Sequence, residues 1–174
     1  PKPPSPSMRQ AAPAGADAIE VTTYYATNRV KVASPASAGE TFGNEGIGPL
    51  TFGRATVTIP KTHVTGNIEL PQFWKLERTA DPSRHFVLKD VAPLAADATR
   101  REIAARLAST SSKAMLVYVH GYNSSFQDAA FRAAQLANDL NFKGVPFFYS
   151  WPSANRVRSY LQDEETARLC ESVF

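Results

Sequence analysis

The sequence predicts an α/β fold in which antiparallel N-terminal strands feed parallel βαβ units. Three observations predict it. Early segments such as Ala55-Thr-Val-Thr-Ile-Pro60 alternate apolar and polar residues, the mark of a strand with one face on a core. The later runs Met115–Val119 and Val145–Ser150 are nearly continuous in apolar residues, as strands covered on both faces are. Between them Phe126, Ala130, Ala133, Ala137 and Leu140 recur at helical spacing. Strand, helix and strand with short connections imply parallel strands joined by a crossover.

Taken in order, the first eighteen residues hold five of the thirteen prolines and almost nothing large and apolar. Residues 1–18 therefore read as a disordered leader, and 19–174 as the folded part. A first strand begins at Ile19-Glu-Val-Thr-Thr-Tyr-Tyr25, rich in β-branched and aromatic residues. Gly43, Gly46 and Gly48 mark a loop, which lacks the Gly-Lys-Ser/Thr ending of a phosphate-binding loop. Ala55, Val57 and Ile59 share one face of a half-exposed strand that Pro60 ends. Another strand is expected at Phe86–Val91. A helix follows from Asp97 to Ala108, with Ile103, Ala104 and Leu107 on one side and Asp97 near its N-cap. Ser124 or Ser125 caps the next helix, and Gln127 or Asp128 three residues later completes a capping box. Gly144 reads as that helix's C-terminal cap, and a last helical stretch follows Trp151-Pro152.

Composition narrows the function. At 174 residues and 43% hydrophobic, the chain is one domain with enough apolar surface for a core. The net charge is only +3 and the basic residues are scattered, which speaks against a nucleic-acid partner. No apolar run approaches the ~18 residues that span a bilayer. The single cysteine, Cys170, forms no internal disulfide and reads as a packing residue. Asp163-Glu-Glu165 reads as a solvated helix face. The three histidines lie far apart and without the close spacing of zinc sites, so neither a metal nor a cofactor is expected. The compartment stays open between cytoplasm and cell envelope, with the proline-rich leader favouring a tether to the envelope.

The chemistry centres on Leu116-Val-Tyr-Val-His-Gly-Tyr-Asn-Ser-Ser-Phe126, where an apolar strand stops at His120-Gly121. Ligands of open α/β sheets gather at the carboxyl ends of strands. Gly121 permits a sharp turn and the close approach of a ligand. The amide of Tyr122 is then a candidate donor to an anionic oxygen, aided by the helix N-terminus behind it. A histidine ending a strand and a glycine in a turn are also ordinary structural residues, and the dipeptide alone does not choose.

The wider context does. The stretch from Tyr118 to Ser153, together with TYYATNR (23–29), LTFGRATVTIP (50–60), THVTGNIELP (62–71) and HFVLKDV (85–91), resembles a bacterial family of α/β-hydrolases of the esterase/lipase superfamily, largely of unassigned substrate. The resemblance implies an α/β-hydrolase fold with Met115–His120 as its third strand. It also implies an oxyanion loop at His120, Gly121, Tyr122 and Asn123, with Ser124 shaping it and Ser150–Ser153 near the same end of the sheet. A small acyl-ester substrate is implied, and no cofactor. The superfamily needs a serine on a G-x-S-x-G elbow, followed by an acid and a histidine. The sequence holds no such elbow, so an incomplete α/β-hydrolase is expected, with nucleophile, acid and base beyond Phe174. An uncovered edge on Met115–His120 then favours self-association. The alternative is a binding or assembly module that keeps the scaffold without the triad. Arg29 either anchors a loop or contacts substrate. For Trp151, packing and substrate contact both remain open.

Overall fold

A computed structural model describes residues 17–72 and 80–153. Residues 1–16 of the expected leader, the final helical stretch, the acidic run 163–165 and Cys170 lie outside the described residues; Ala18, expected in the leader, instead opens the first strand. Five strands form one mixed sheet: β1 (Ala18–Lys31), β2 (Phe42–Pro60), β3 (Val87–Leu94), β4 (Met115–Val119) and β5 (Val145–Ser150), in the order β3-β2-β1-β5-β4. β1 and β2 pair antiparallel, as do β2 and β3, whereas β5 runs parallel to both β1 and β4. Helix α1 (Ala96–Ser109) precedes β4, and α2 (Phe126–Asp139) joins β4 to β5. The architecture is the mixed α/β sheet that the sequence predicts.

Tyr24 and Tyr25 show how the two helices divide the sheet. Neighbours in a strand face opposite ways. The Tyr25 ring enters the main core, edge-on to Phe126 of α2 at 5.0 Å and to Phe42 at 5.6 Å. Phe148 and Phe126 close the same cluster at 5.3 Å. Tyr24 faces the other side, where its hydroxyl donates to Glu102 of α1 at 3.5 Å, and Arg54 joins the same carboxylate at 3.2 Å. Ala55, Val57 and Ile59 lie wholly in the α2-side core. Thr58, expected on an exposed face, is buried as well and donates to the Val87 carbonyl.

Several sequence expectations are corrected. Gly43, Gly46 and Gly48 are not a loop but the first half of β2, paired to β1 through bulges near Arg29. Gly46 takes the left-handed φ of +77°, which lets the long strand absorb the irregularity. Asp97 does lie near the N-cap of α1, which is Ala95, but of that helix only Thr99 is buried; Ile103 and Leu107 are half-buried and Ala104 is exposed. α2 ends before Gly144. Its left-handed closing residue is Asn141, with Phe142 N–H donating to Ala137 O and Asn141 N–H to Asn138 O. Leu140 is consequently exposed rather than part of the buried stripe. Gly144 serves close approach, since a Cβ there would stand 2.1 Å from the Ala114 carbonyl oxygen. β4 is not covered on both faces: Leu116 and Tyr118 are half-buried, with Tyr118 packed on the α2-side core, while Val117 and Val119 are 54% and 56% exposed. Among the described residues β4 has a strand neighbour on one side only, and no helix is long and apolar enough to cross a membrane.

A histidine cluster fastens the segment after β2 to the far end of α2. His63 Nδ1 meets Glu69 Oε2 at 2.8 Å and Nε2 meets Asp139 Oδ1 at 2.7 Å. The same carboxylates accept the backbone N–H groups of Val64 and Gly66. Burial by itself would lower the His63 pKa, but hydrogen bonds and charge from Glu69 and Asp139 overcome it and raise the value. Both carboxylates are lowered, the His63 contact and backbone donors outweighing burial. The histidine's contribution is therefore complete below its ordinary range and lost as pH rises through its elevated value. The carboxylates' contribution is complete above their ordinary range and lost as pH falls through their depressed values. Asp139→Asn should destabilise the protein by about 2 kcal/mol near pH 6. Urea titrations of both proteins should show that difference shrinking toward alkaline and toward strongly acidic pH; a pH-independent difference would refute the charged cluster.

Candidate functional site

The carboxyl ends of β4 and β5 lie side by side, and the loop 120–125 leaves the sheet there. Its far end is fixed by sequence-local chemistry. Ser125 caps α2, accepting from Asp128 N–H at 3.1 Å, while the Asp128 carboxylate accepts from Ser125 N–H at 3.1 Å. This is the predicted capping box, with Ser125 and Asp128 as its members. Its near end is His120, buried at the last position of the apolar run. The His120 ring stacks on Trp151 with centroids 5.1 Å apart, and the Trp151 indole N–H donates to the His120 carbonyl at 2.9 Å. Trp151 is thus a packing residue beneath the loop, with the exposed Tyr122 ring set edge-on against it.

His120 also orients the peptide that follows it. Its Nδ1 lies 2.7 Å from the Gly121 carbonyl oxygen, so Nδ1 carries the proton and donates. No peptide in the described chain is cis. In a trans peptide the N–H points opposite to the C=O. With the Gly121 carbonyl turned in to the histidine, the Tyr122 N–H of the same peptide is directed away from that ring. Nε2 of His120 is then an acceptor, 3.2 Å from Ser150 Oγ. Burial holds the His120 pKa down at about 4, the Arg29 charge adding to it and the bond to Gly121 opposing it. The ring is neutral at physiological pH, as this donor and acceptor arrangement requires.

Arg29 underlies the whole loop. It comes from β1, is 1% exposed, and is the largest fully buried side chain of the described residues. Its Nε donates to Ser150 Oγ at 2.8 Å, Nη1 to Asn44 Oδ1 at 3.0 Å and Gly43 O at 3.2 Å, and Nη2 to Ser124 O at 2.6 Å. Of the two roles left open by the sequence, the structure gives it loop anchoring. Ser153, three residues beyond β5, contributes a further fastening by accepting the Asn123 N–H at 2.7 Å.

Residues 95–173 match the family described as alpha/beta hydrolase of unknown function, DUF900. That part of the chain is similar to this family. The matched segment includes α1, β4, the loop, α2 and β5, while β1, β2 and Arg29 stand before it. No curated protein and no solved structure matches the chain.

The structure brings His120, Gly121, Tyr122, Asn123 and Ser124 together with Ser150–Ser153, as the sequence expects. It alters two details. Asn123, at φ +56°, rather than Gly121, takes the left-handed backbone in the turn, a conformation that Asn tolerates. The Asn123 amide is committed to Ser153. Thr27, which sequence patterns do not single out, extends the network: its Oγ1 accepts Arg29 N–H and donates to Ser150 O at 2.6 Å. His63 and His85 lie apart from the loop. Among the described residues no group of three His, Cys, Asp or Glu is placed to hold a metal ion.

A neutral, buried His120 has a measurable consequence. In NMR titrations its ring resonances should stay unshifted from pH 8 down to about 5, and then move together with loop amides as pH approaches 4. Because its folded value is depressed, its effect on stability is complete above the ordinary histidine range of about 6.5 and is lost as pH falls toward 4. A midpoint near 6.5 would show that the ring is not held as described.

Proposed function

We propose that this chain supplies the oxyanion loop of a serine-type hydrolase acting on small acyl esters. The observation that carries the reading is the His120–Gly121 bond, which turns the Gly121 carbonyl inward and so aims the Tyr122 N–H away from the protein's own histidine. Gly121 supports it from the other side. A Cβ built there meets nothing within 4 Å, and its φ lies outside the left-handed region. Neither packing nor backbone conformation requires glycine at this position, whereas a substrate carbonyl approaching the loop would.

In this reading, attack on the ester carbonyl places negative charge on the carbonyl oxygen, and the Tyr122 N–H stabilises it in the tetrahedral intermediate. His120 positions that peptide and takes no part in proton transfer, because Nδ1 is bonded to Gly121 and Nε2 faces Ser150 and Arg29. Asn123, through its bond to Ser153, fixes the turn. One preorganised donor of this kind is worth about 3 kcal/mol of transition-state stabilisation. The nucleophile, acid and base belong to residues outside these 174, whose sequence has no serine elbow. The chain on its own is accordingly expected to leave esters intact.

Gly121→Ala separates this function from a purely structural loop. Its unfolding free energy should stay within about 1 kcal/mol of wild type. In the intact protein, a fluorophosphonate probe should label one serine outside this chain, and the substitution should slow labelling on the order of 100-fold. Failure of the folded, intact protein to label would sink the hydrolase reading and favour a non-catalytic scaffold. Equal labelling of both proteins would remove Gly121 from the site.

The edge of β4, with Val117 and Val119 exposed beside it, also supports self-association of this chain. Sedimentation velocity over a concentration series should show a dimer or larger species that Val119→Lys weakens. A monomer at every concentration would refute it.

A further inference from the structure

The geometry points to Arg29 as the positioning residue of the oxyanion loop, an inference that rests on the hydrolase reading above. A guanidinium is planar, permanently charged and carries five N–H donors in a fixed fork. Here that fork joins segments far apart in sequence. Gly43 and Asn44 hold it at the start of β2, Ser150 at the end of β5, Ser153 three residues beyond that strand, and Ser124 in the loop. Nη2 also stands 3.4 Å from His120 Nε2.

The two loop contacts matter most. Ser124 O is held directly at 2.6 Å. At the other end a directed chain runs from Arg29 Nε–H to Ser150 Oγ, from Ser150 O–H to His120 Nε2, and from His120 Nδ1–H to Gly121 O. Arg29 therefore grips both ends of the segment 120–124, and the Tyr122 peptide lies between them. It sets where that N–H points while lying beneath the loop rather than touching substrate.

Burying a cation is unfavourable unless its geometry is well satisfied, and apolar residues often replace buried ions without loss of stability. A core that needed only to be filled has no use for an arginine at this place. The fork instead fixes angle and distance together, which is what a preorganised donor requires. Lysine keeps the charge but presents three donors from one point, so it cannot reach acceptors on both sides of the loop at once.

The test uses the intact protein carrying Arg29→Lys and, separately, Ser150→Ala, which removes one hydroxyl from the chain of bonds while leaving the guanidinium in place. Hydrolysis of a p-nitrophenyl ester and amide hydrogen exchange are read in parallel. Arg29→Lys should lower kcat on the order of 100-fold with KM changed less than about threefold. Exchange at 121–124 should accelerate while amides of β1 and β5 keep their protection. Ser150→Ala should move both readouts the same way and less far, which keeps the inference testable if the lysine variant does not fold. Unchanged kcat and loop exchange in a folded variant would overturn it, as would exchange that accelerates uniformly across the sheet. A wild-type protein inert toward esters and fluorophosphonates removes the hydrolase reading and the catalytic half of this inference. The exchange data alone then decide whether Arg29 holds the loop.

Discussion

A buried guanidinium can be accommodated only where its donors find acceptors, and that requirement organises the end of this sheet. Arg29 leaves β1 and meets the start of β2, the end of β5 and the loop after β4. None of those segments can shift without leaving a charged donor unsatisfied in the interior, a heavier penalty than the loss of an ordinary hydrogen bond. The loop between β4 and α2 thereby acquires a fixed position although it is short, polar and partly exposed. The neutral His120 transmits the same constraint one peptide further, to Gly121.

Around this polar node the packing is aromatic and two-sided. Tyr25, Phe42, Phe126 and Phe148 interlock under α2, and Ala26, Tyr149 and Trp151 form a smaller cluster on the other face. β5 serves both clusters, since Phe148 and Tyr149 are neighbours that point opposite ways. The strand that carries the polar residue Ser150 to the node is therefore held on both faces just before it arrives. The position of the site follows from that packing as much as from its own bonds.

Much of this was legible in the sequence. Ser125 and Asp128 announced the start of α2 because a capping box is local chemistry, satisfied within four residues. The pairing of β4 with β5 followed from two apolar runs with one helix between them. Other features depend on distant partners and leave no local trace. Gly43, Gly46 and Gly48 look like a loop until the bulged pairing with β1 is seen. The run Met115–Val119 has the composition of a doubly covered strand, but coverage is decided by its neighbours, and here one face is open. Asn141 rather than Gly144 closes α2, because Asn tolerates the same left-handed backbone and the two residues lie only three apart. His63 finds Glu69 and Asp139 across separations of 6 and 76 residues, beyond any spacing rule. Arg29 stands between loop anchor and substrate contact until its side chain is followed to Ser124 and Ser150.

The two closures of α2 have a bearing on how the molecule comes together. The helix finishes both its ends with its own immediate neighbours, so it can form early, with β4 and β5 following as a local unit. The bonds of Arg29 to Ser124, Ser150 and Ser153 span 95, 121 and 124 residues, and they await a sheet already zipped from β1 to β5. Long closures of this kind come late, because their entropy must be offset by contacts formed before them. The topology thus implies that the loop is the last element to set, and that a nascent chain holds a folded sheet before the turn between β4 and α2 is fixed.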